Sequence, residues 1–171
     1  MSRAFIKESD EQLSADELPE RPPSEHPNYV TPRGLEQLHV RQQQLQHEHA
    51  QLAEQDDPLL RQRKLETERD LRYYNAQIAR ATVVDPAGQP HNEVRFGAAV
   101  IIRDEQGARH EFHIVGDDEA DIISGCISWA SPLGKALIGA AVGDRVTWQR
   151  PAGTVEVEIV DIGYPPAVAG T

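Results

Sequence analysis

The sequence predicts an α+β protein. An N-terminal antiparallel α-helical hairpin of coiled-coil type precedes a compact antiparallel sheet domain with one short helix. Three observations predict this. Leu38, Leu45 and Leu52 recur every seven residues, a narrow seam that joins two helices rather than the broad apolar face of a core helix. A second seven-residue series, Leu60, Thr67, Tyr74 and Ala81, follows a short interruption. Beyond residue 83 the period changes to two: Val155, Val157 and Ile159 alternate with Glu156 and Glu158, giving one dry face and one wet face.

A chain of 171 residues holds one ordinary domain plus an extension. Its hydrophobic fraction is 39%, and no apolar run approaches the ~18–20 residues that span a bilayer. The start, "MSRAFIKESDEQ", lacks the apolar core of a signal peptide. Cys126 stands alone, so a reduced, cytoplasmic setting is expected, with Cys126 as a small buried side chain. A net charge of −11 argues against broad, free-standing nucleic-acid binding, which needs a basic footprint. The charge is uneven: residues 1–29 carry seven acids and three bases, 30–82 eight of each, and 83–171 thirteen acids and six bases. An acidic C-terminal half suits a basic protein surface better than bare DNA.

The elements follow in order. Residues 1–29 contain four prolines and many acids, which predicts a flexible or loosely docked arm rather than a helix. At "VTPRGLEQL", Thr31 can cap a helix, Pro32 suits its first position, and Val30 can staple onto Leu35. Leu35, Gln42 and His49 share the first seam. At "LAEQDDPLL", Asp57 can cap and Pro58 can open the second helix, whose seam also takes Leu71 and Ile78. The hairpin over 30–82 has arms of about 23–25 residues, ~35 Å long, with Asp56 and Asp57 at the far end. In the body at 83–171, "EVRFGAAVIIR" and "ARHEFHIV" read as strands around Asp104–Gly107. "DRVTWQ" and "TVEVEIVDIGY" pair around Pro151-Ala152-Gly153, and "SPLGKALIGA" opens a helix at proline. Trp129 and Trp148 are expected at the core or its edge.

At this point a family is legible. The order of Phe96-Gly97, Ile114-Val115-Gly116, Asp118-Glu119-Ala120-Asp121, Ile127-Ser128, Ser131-Pro132-Leu133-Gly134, Ala136-Leu137-Ile138-Gly139 and Val142-Gly143-Asp144 resembles the C-terminal domain of the Gre transcript-cleavage factors (the GreA/GreB family). Pro151-Ala152-Gly153 and Ile159 to Tyr164 continue it. "MSRAFIKESD" looks like a GreB-type start, and "VTPRGLEQL" and "ATVVDP" look like the two roots of the family's coiled coil.

The resemblance implies an FKBP-like domain without isomerase activity. It implies docking on bacterial RNA polymerase at the secondary channel, with the hairpin entering the channel. Tip acids would help the polymerase hold Mg²⁺ and cut backtracked nascent RNA. It implies a cytoplasmic, monomeric accessory factor, DNA-binding in the sense of the family's place in the elongation complex, with no membrane contact, no cofactor and no active site of its own.

On this reading Glu54, Asp56 and Asp57 are the tip acids, and Asp57 has a competing use as a helix cap. Ser131, Pro132, Leu133 and Leu137 form either the polymerase-binding corner or a strand-to-helix corner with a buried helix face. Arg61, Arg63 and Lys64 are candidates for contact with RNA or the channel wall, or for a solvated face balanced by Glu66, Glu68 and Asp70. His39, His47, His49, His110 and His113 lack a convincing metal-ligand framework.

The sequence also departs from the family. Its tip reads Glu54-Gln55-Asp56-Asp57-Pro58-Leu59-Leu60-Arg61 where relatives resemble Gly-Asp-Leu-Ser-Glu-Asn-Ala-Glu-Tyr. Each arm is about one heptad short, ~10 Å of reach. Ala130 stands where many relatives carry an acid. Two alternatives therefore stay open: a channel occupant that does not stimulate cleavage, and a regulator like Rnk, the nucleoside diphosphate kinase regulator.

Overall fold

The computed structural model describes residues 18–165. Helix α1 (Pro32–Ala53) starts where its cap predicts: Thr31 Oγ1 accepts a hydrogen bond from the Gly34 amide at 2.9 Å. A Thr side chain here satisfies an amide that the first turn leaves without a partner. Leu38, Leu45 and Leu52 are the buried side chains of its seam. A single 3₁₀ turn, Pro58–Leu60, leads into α2 (Arg61–Ala79).

The two helices pack side by side and run in opposite directions. Gln42 Nε2 donates to Asn75 Oδ1 (2.6 Å), His49 lies 3.2 Å from Glu68, and Arg63 meets Glu48. These pairs put successive residues of α1 against receding residues of α2. The seam is leucine on one side and polar on the other, since α2 buries Thr67 and Gln77. Thr67 satisfies its hydroxyl by donating to the Arg63 carbonyl one turn back, at 2.8 Å.

Two short strands close the base of the helices. β1 (Asn28–Val30) pairs in parallel with β2 (Ala81–Val83), and Asn28 Nδ2 donates to the Gln77 carbonyl at 2.8 Å. Residues 20–28, part of the expected arm, are tied down as well. Glu20 pairs with Arg72, and Arg21 pairs with Asp70 and lies 4.1 Å over the Tyr73 ring. Arg80 donates to the Ser24 and His26 carbonyls. Prolines exclude a helix here, but side-chain contacts hold an extended segment equally well. Residues 1–17 of the arm, which include the GreB-type start, lie outside the described residues.

The body is a five-stranded sheet with one helix. Its strands are β3 (Ala99–Arg103), β4 (Arg109–Val115), β5 (Cys126–Ser128), β6 (Arg145–Arg150) and β7 (Gly153–Gly163), in the order β5-β4-β3-β7-β6. Helix α3 (Pro132–Leu137) packs near β6 and β5. The sheet is mixed rather than wholly antiparallel, because β5 pairs in parallel with β4. The chain leaves β4, makes a 3₁₀ turn at Asp117–Glu119 and a loop at 121–125, and so re-enters the sheet in the same direction. Val100, Ile102, Ile114, Leu137 and Ile159 are fully buried at the centre, each contributing about 1.5–3 kcal/mol of burial. Phe112, Trp129 and Trp148 pack partly buried at the edge. No helix among the described residues is long and apolar enough to cross a membrane.

Candidate functional site

Three places bear on function: the far end of the helices, the Ser131 corner, and a carboxylate joint between them. At the far end, α1 stops at Glu54 and the chain turns through Gln55, Asp56 and Asp57. Asp57 caps the 3₁₀ turn, its Oδ1 accepting from the Leu59 amide at 2.9 Å. The cap use of Asp57 is thus observed, one turn ahead of α2 proper. Glu54 and Asp56 are exposed, and neither side chain has a hydrogen-bond or ion-pair partner among the described residues. Leu59 beside them is 87% exposed.

The basic run divides. Arg61 is exposed. Arg63 grips Glu48 with two nitrogens (2.5 and 2.9 Å) and reaches Glu66 at 3.4 Å. Lys64 Nζ donates to the Gln55 carbonyl at 2.6 Å. Arg63 therefore ties α2 to α1, and Lys64 braces the turn by holding a carbonyl that the end of α1 leaves open.

At the corner, Ser131 caps α3: its Oγ accepts from the Gly134 amide (3.1 Å) and donates to the Ser128 carbonyl (2.6 Å). Pro132 is exposed. Of the two readings of this corner, partner contact or buried helix face, Leu133 and Leu137 take the second in the isolated chain. They are 3% and 0% exposed and belong to the core. A helix of six residues must turn its apolar face onto the sheet, since nothing else can dry it. The corner's outward surface is therefore Pro132 and its polar neighbours.

The joint is a feature that sequence reasoning missed. Three consecutive carboxylates, Asp117, Asp118 and Glu119, each take a different element. Asp117 accepts from Ser24 Oγ (3.0 Å), His26 Nε2 (2.7 Å) and Ser128 Oγ. Asp118 accepts from Tyr73 Oη (2.7 Å) and Gln77 Nε2 (2.6 Å) on α2. Glu119 accepts from Thr31 Oγ1 (2.6 Å) at the start of α1.

Burial pushes the Asp117 carboxyl up, but hydrogen bonds from Ser128, His26 and Ser24 together outweigh it and hold it below the usual carboxylate range. Burial, then the bond to Asp118, pushes the Tyr73 phenol well up, so it stays a donor. Trp129 packs edge-on against His26 (5.2 Å) and Tyr29 (5.1 Å). The available signal was three acids directly after an apolar strand. Among the described residues, no group of three or more His, Cys, Asp or Glu side chains is arranged to hold a metal ion.

The C-terminal domain of the transcription elongation factors GreA/GreB matches residues 89–164. Transcription elongation factor GreA of Thermodesulfovibrio yellowstonii is 49% identical over 90 residues, 52% of this chain and 57% of that protein. The GreA of Pelobacter propionicus is 47% identical over 91 residues, 53% of this chain and 58% of that one. Residues 89–164 are thus similar to a GreA/GreB C-terminal domain. The matches span little more than half the length of these curated relatives. Among solved structures, GreA factor homolog 1 (Gfh1) of Thermus thermophilus aligns with 81% of this chain and 99% of its own, at 24% identity and a TM-score of 0.38. A GreA/GreB factor of Nitrosomonas europaea covers the same shares at 27% identity and a TM-score of 0.40.

Proposed function

We propose that the chain is a Gre-like transcription elongation factor that binds bacterial RNA polymerase at its secondary channel. The body at 83–171 is the FKBP-like docking domain, and the helices over 30–82 are an antiparallel coiled-coil hairpin that enters the channel. The protein is an accessory factor rather than an enzyme. One observation carries this reading: a GreA/GreB-type domain bears a helical pair whose far end exposes Glu54 and Asp56.

Two carboxylates are too few to hold a metal alone. They can supply hard oxygen ligands to a Mg²⁺ that the polymerase already holds, which would secure the ion and orient a water for RNA cleavage. The chain's own residues position those acids: Lys64 braces the turn, Arg63 locks the helices together, and Asp57 caps the 3₁₀ turn that leads into α2.

The test is RNA cleavage in arrested elongation complexes, with wild type and an Asp56→Asn/Asp57→Asn variant. The expected result is wild-type stimulation that the variant loses while polymerase binding is retained, because an amide keeps size and capping but not charge. A second reading is favoured by one observation. Asp57 spends its carboxylate on the cap, which leaves fewer tip acids than the sequence offers. On that reading the protein occupies the channel without stimulating cleavage. Wild type would then be inert and would block a full-length Gre factor, and the variant would block it equally well.

A further inference from the structure

The loop between Asp121 and Cys126 presents two isoleucines to solvent. Ile122 is 89% exposed and Ile123 98%. Large aliphatic side chains at nearly full exposure are costly to keep wet, and a rigid adjacent pair is a pattern of contact surfaces. This loop is held in shape. The Asp121 and Cys126 backbones bond each other twice, at 2.9 Å each way. Asp121 Oδ1 accepts from the Ile123 amide (3.1 Å), Ser124 Oγ donates to the Asp121 carbonyl (3.1 Å), and the Gly125 amide donates to the Ile122 carbonyl (3.1 Å). Gly125 takes φ +77° to close the turn, a conformation open to glycine at little cost. The pair is thus pre-ordered, which lowers the entropy lost on binding.

Charge selects the occupant. Between Arg109 and Lys135 the chain has no lysine or arginine but five acids: Glu111, Asp117, Asp118, Glu119 and Asp121. An apolar tongue in an acidic field suits an apolar recess rimmed by lysine and arginine. An anionic membrane surface would repel it, and so would the same acidic loop on a second copy of this chain. The tongue also sits at the root of the helical pair, two residues beyond Glu119, which bonds Thr31.

We propose that Ile122 and Ile123 anchor this protein in a basic-rimmed apolar recess on RNA polymerase. This rests on the reading of the chain as a polymerase-binding factor, and it assigns to this loop the contact that buried Leu133 and Leu137 cannot make. The experiment measures the affinity of the full-length protein for core RNA polymerase by fluorescence anisotropy. It compares wild type with Ile122→Ser/Ile123→Ser and Ile122→Leu/Ile123→Leu, alongside thermal melts and sedimentation of each protein alone.

The Ser variant is expected to bind at least about tenfold more weakly with an unchanged melting temperature, since neither residue supports the core, and the Leu variant is expected to bind near wild type. Ser-variant affinity within twofold of wild type overturns the inference and leaves the functional reading standing. Wild type that binds no polymerase overturns both. A wild-type dimer that the Ser variant dissolves also overturns it, because the occupant is then a second copy.

Discussion

Replacing Asp118 with alanine tests whether the carboxylate joint sets the direction of the helices. Asp118 accepts from Tyr73 at 2.7 Å and Gln77 at 2.6 Å. Each bond reaches an exposed carboxyl oxygen, so each contributes about 1 kcal/mol. Gln77 is 1% exposed, and its amide N–H would lose its partner, a further cost of about 1–3 kcal/mol. The total, about 3–5 kcal/mol, falls on the junction rather than on either packed unit.

The remaining bonds, Thr31 to Glu119 and both Ser24 and His26 to Asp117, leave a pivot. Helix α1 has 22 residues, a lever of about 33 Å at 1.5 Å per residue. A swing of about 10° therefore moves Glu54 and Asp56 by about 6 Å, whereas a metal–oxygen bond tolerates only tenths of an ångström. Spin labels at Leu59 and Val142, both exposed, in a Cys126→Ser background, give the distance from tip to body by pulsed electron resonance. The expected result is a narrow distribution in the parent and a broad one in Asp118→Ala. Equally narrow distributions would refute the lever argument, because some contact other than the joint would then fix the helices.

Other outcomes follow from the same geometry. Leu137→Ala, at a fully buried site, should cost about 2–5 kcal/mol and lower the melting temperature by several degrees or more; a melt shifted by under two degrees would mean that the site is not core. Asp57→Ala should cost about 1 kcal/mol in denaturant unfolding while Asp57→Asn costs less, since asparagine also caps; equal losses would argue against the cap. Asp117 has a folded-state pKa below its unfolded value, so its contribution is complete above about pH 4 and lost as pH falls through the folded value. The stability gap between wild type and Asp117→Asn, measured in urea, should therefore shrink below about pH 4; a gap that widens in acid would contradict the assignment.

Much of this molecule is legible in its sequence because local rules suffice. Thr31 and Pro32 mark the start of α1, the leucine heptad marks its buried seam, and alternation along β7 marks a half-buried strand. What sequence hides is what distant residues do together. Strands β1 and β2 have three residues each and are joined only through both helices, so no local period betrays them. The parallel course of β5 depends on how a turn and a loop cross over. Leu133 and Leu137 sit in a motif that invites a functional reading, yet six residues of helix have only one apolar face to bury. Arg63 and Lys64 look like a basic surface until Glu48 and the Gln55 carbonyl are placed opposite them. Within the tip, sequence identifies the acids and offers Asp57 as a cap, but not that the cap serves a 3₁₀ turn ahead of α2.

The most direct test of the central claim is where the tip lies when the protein meets its partner. A photo-crosslinking residue placed at Leu59, which is 87% exposed beside Asp56 and Asp57, is irradiated in a complex with RNA polymerase, and the crosslinked peptides are sequenced. Crosslinks to segments lining the secondary channel near the active site are predicted. Crosslinks confined to the polymerase's outer surface, or none at all under conditions where the complex forms, would contradict the account.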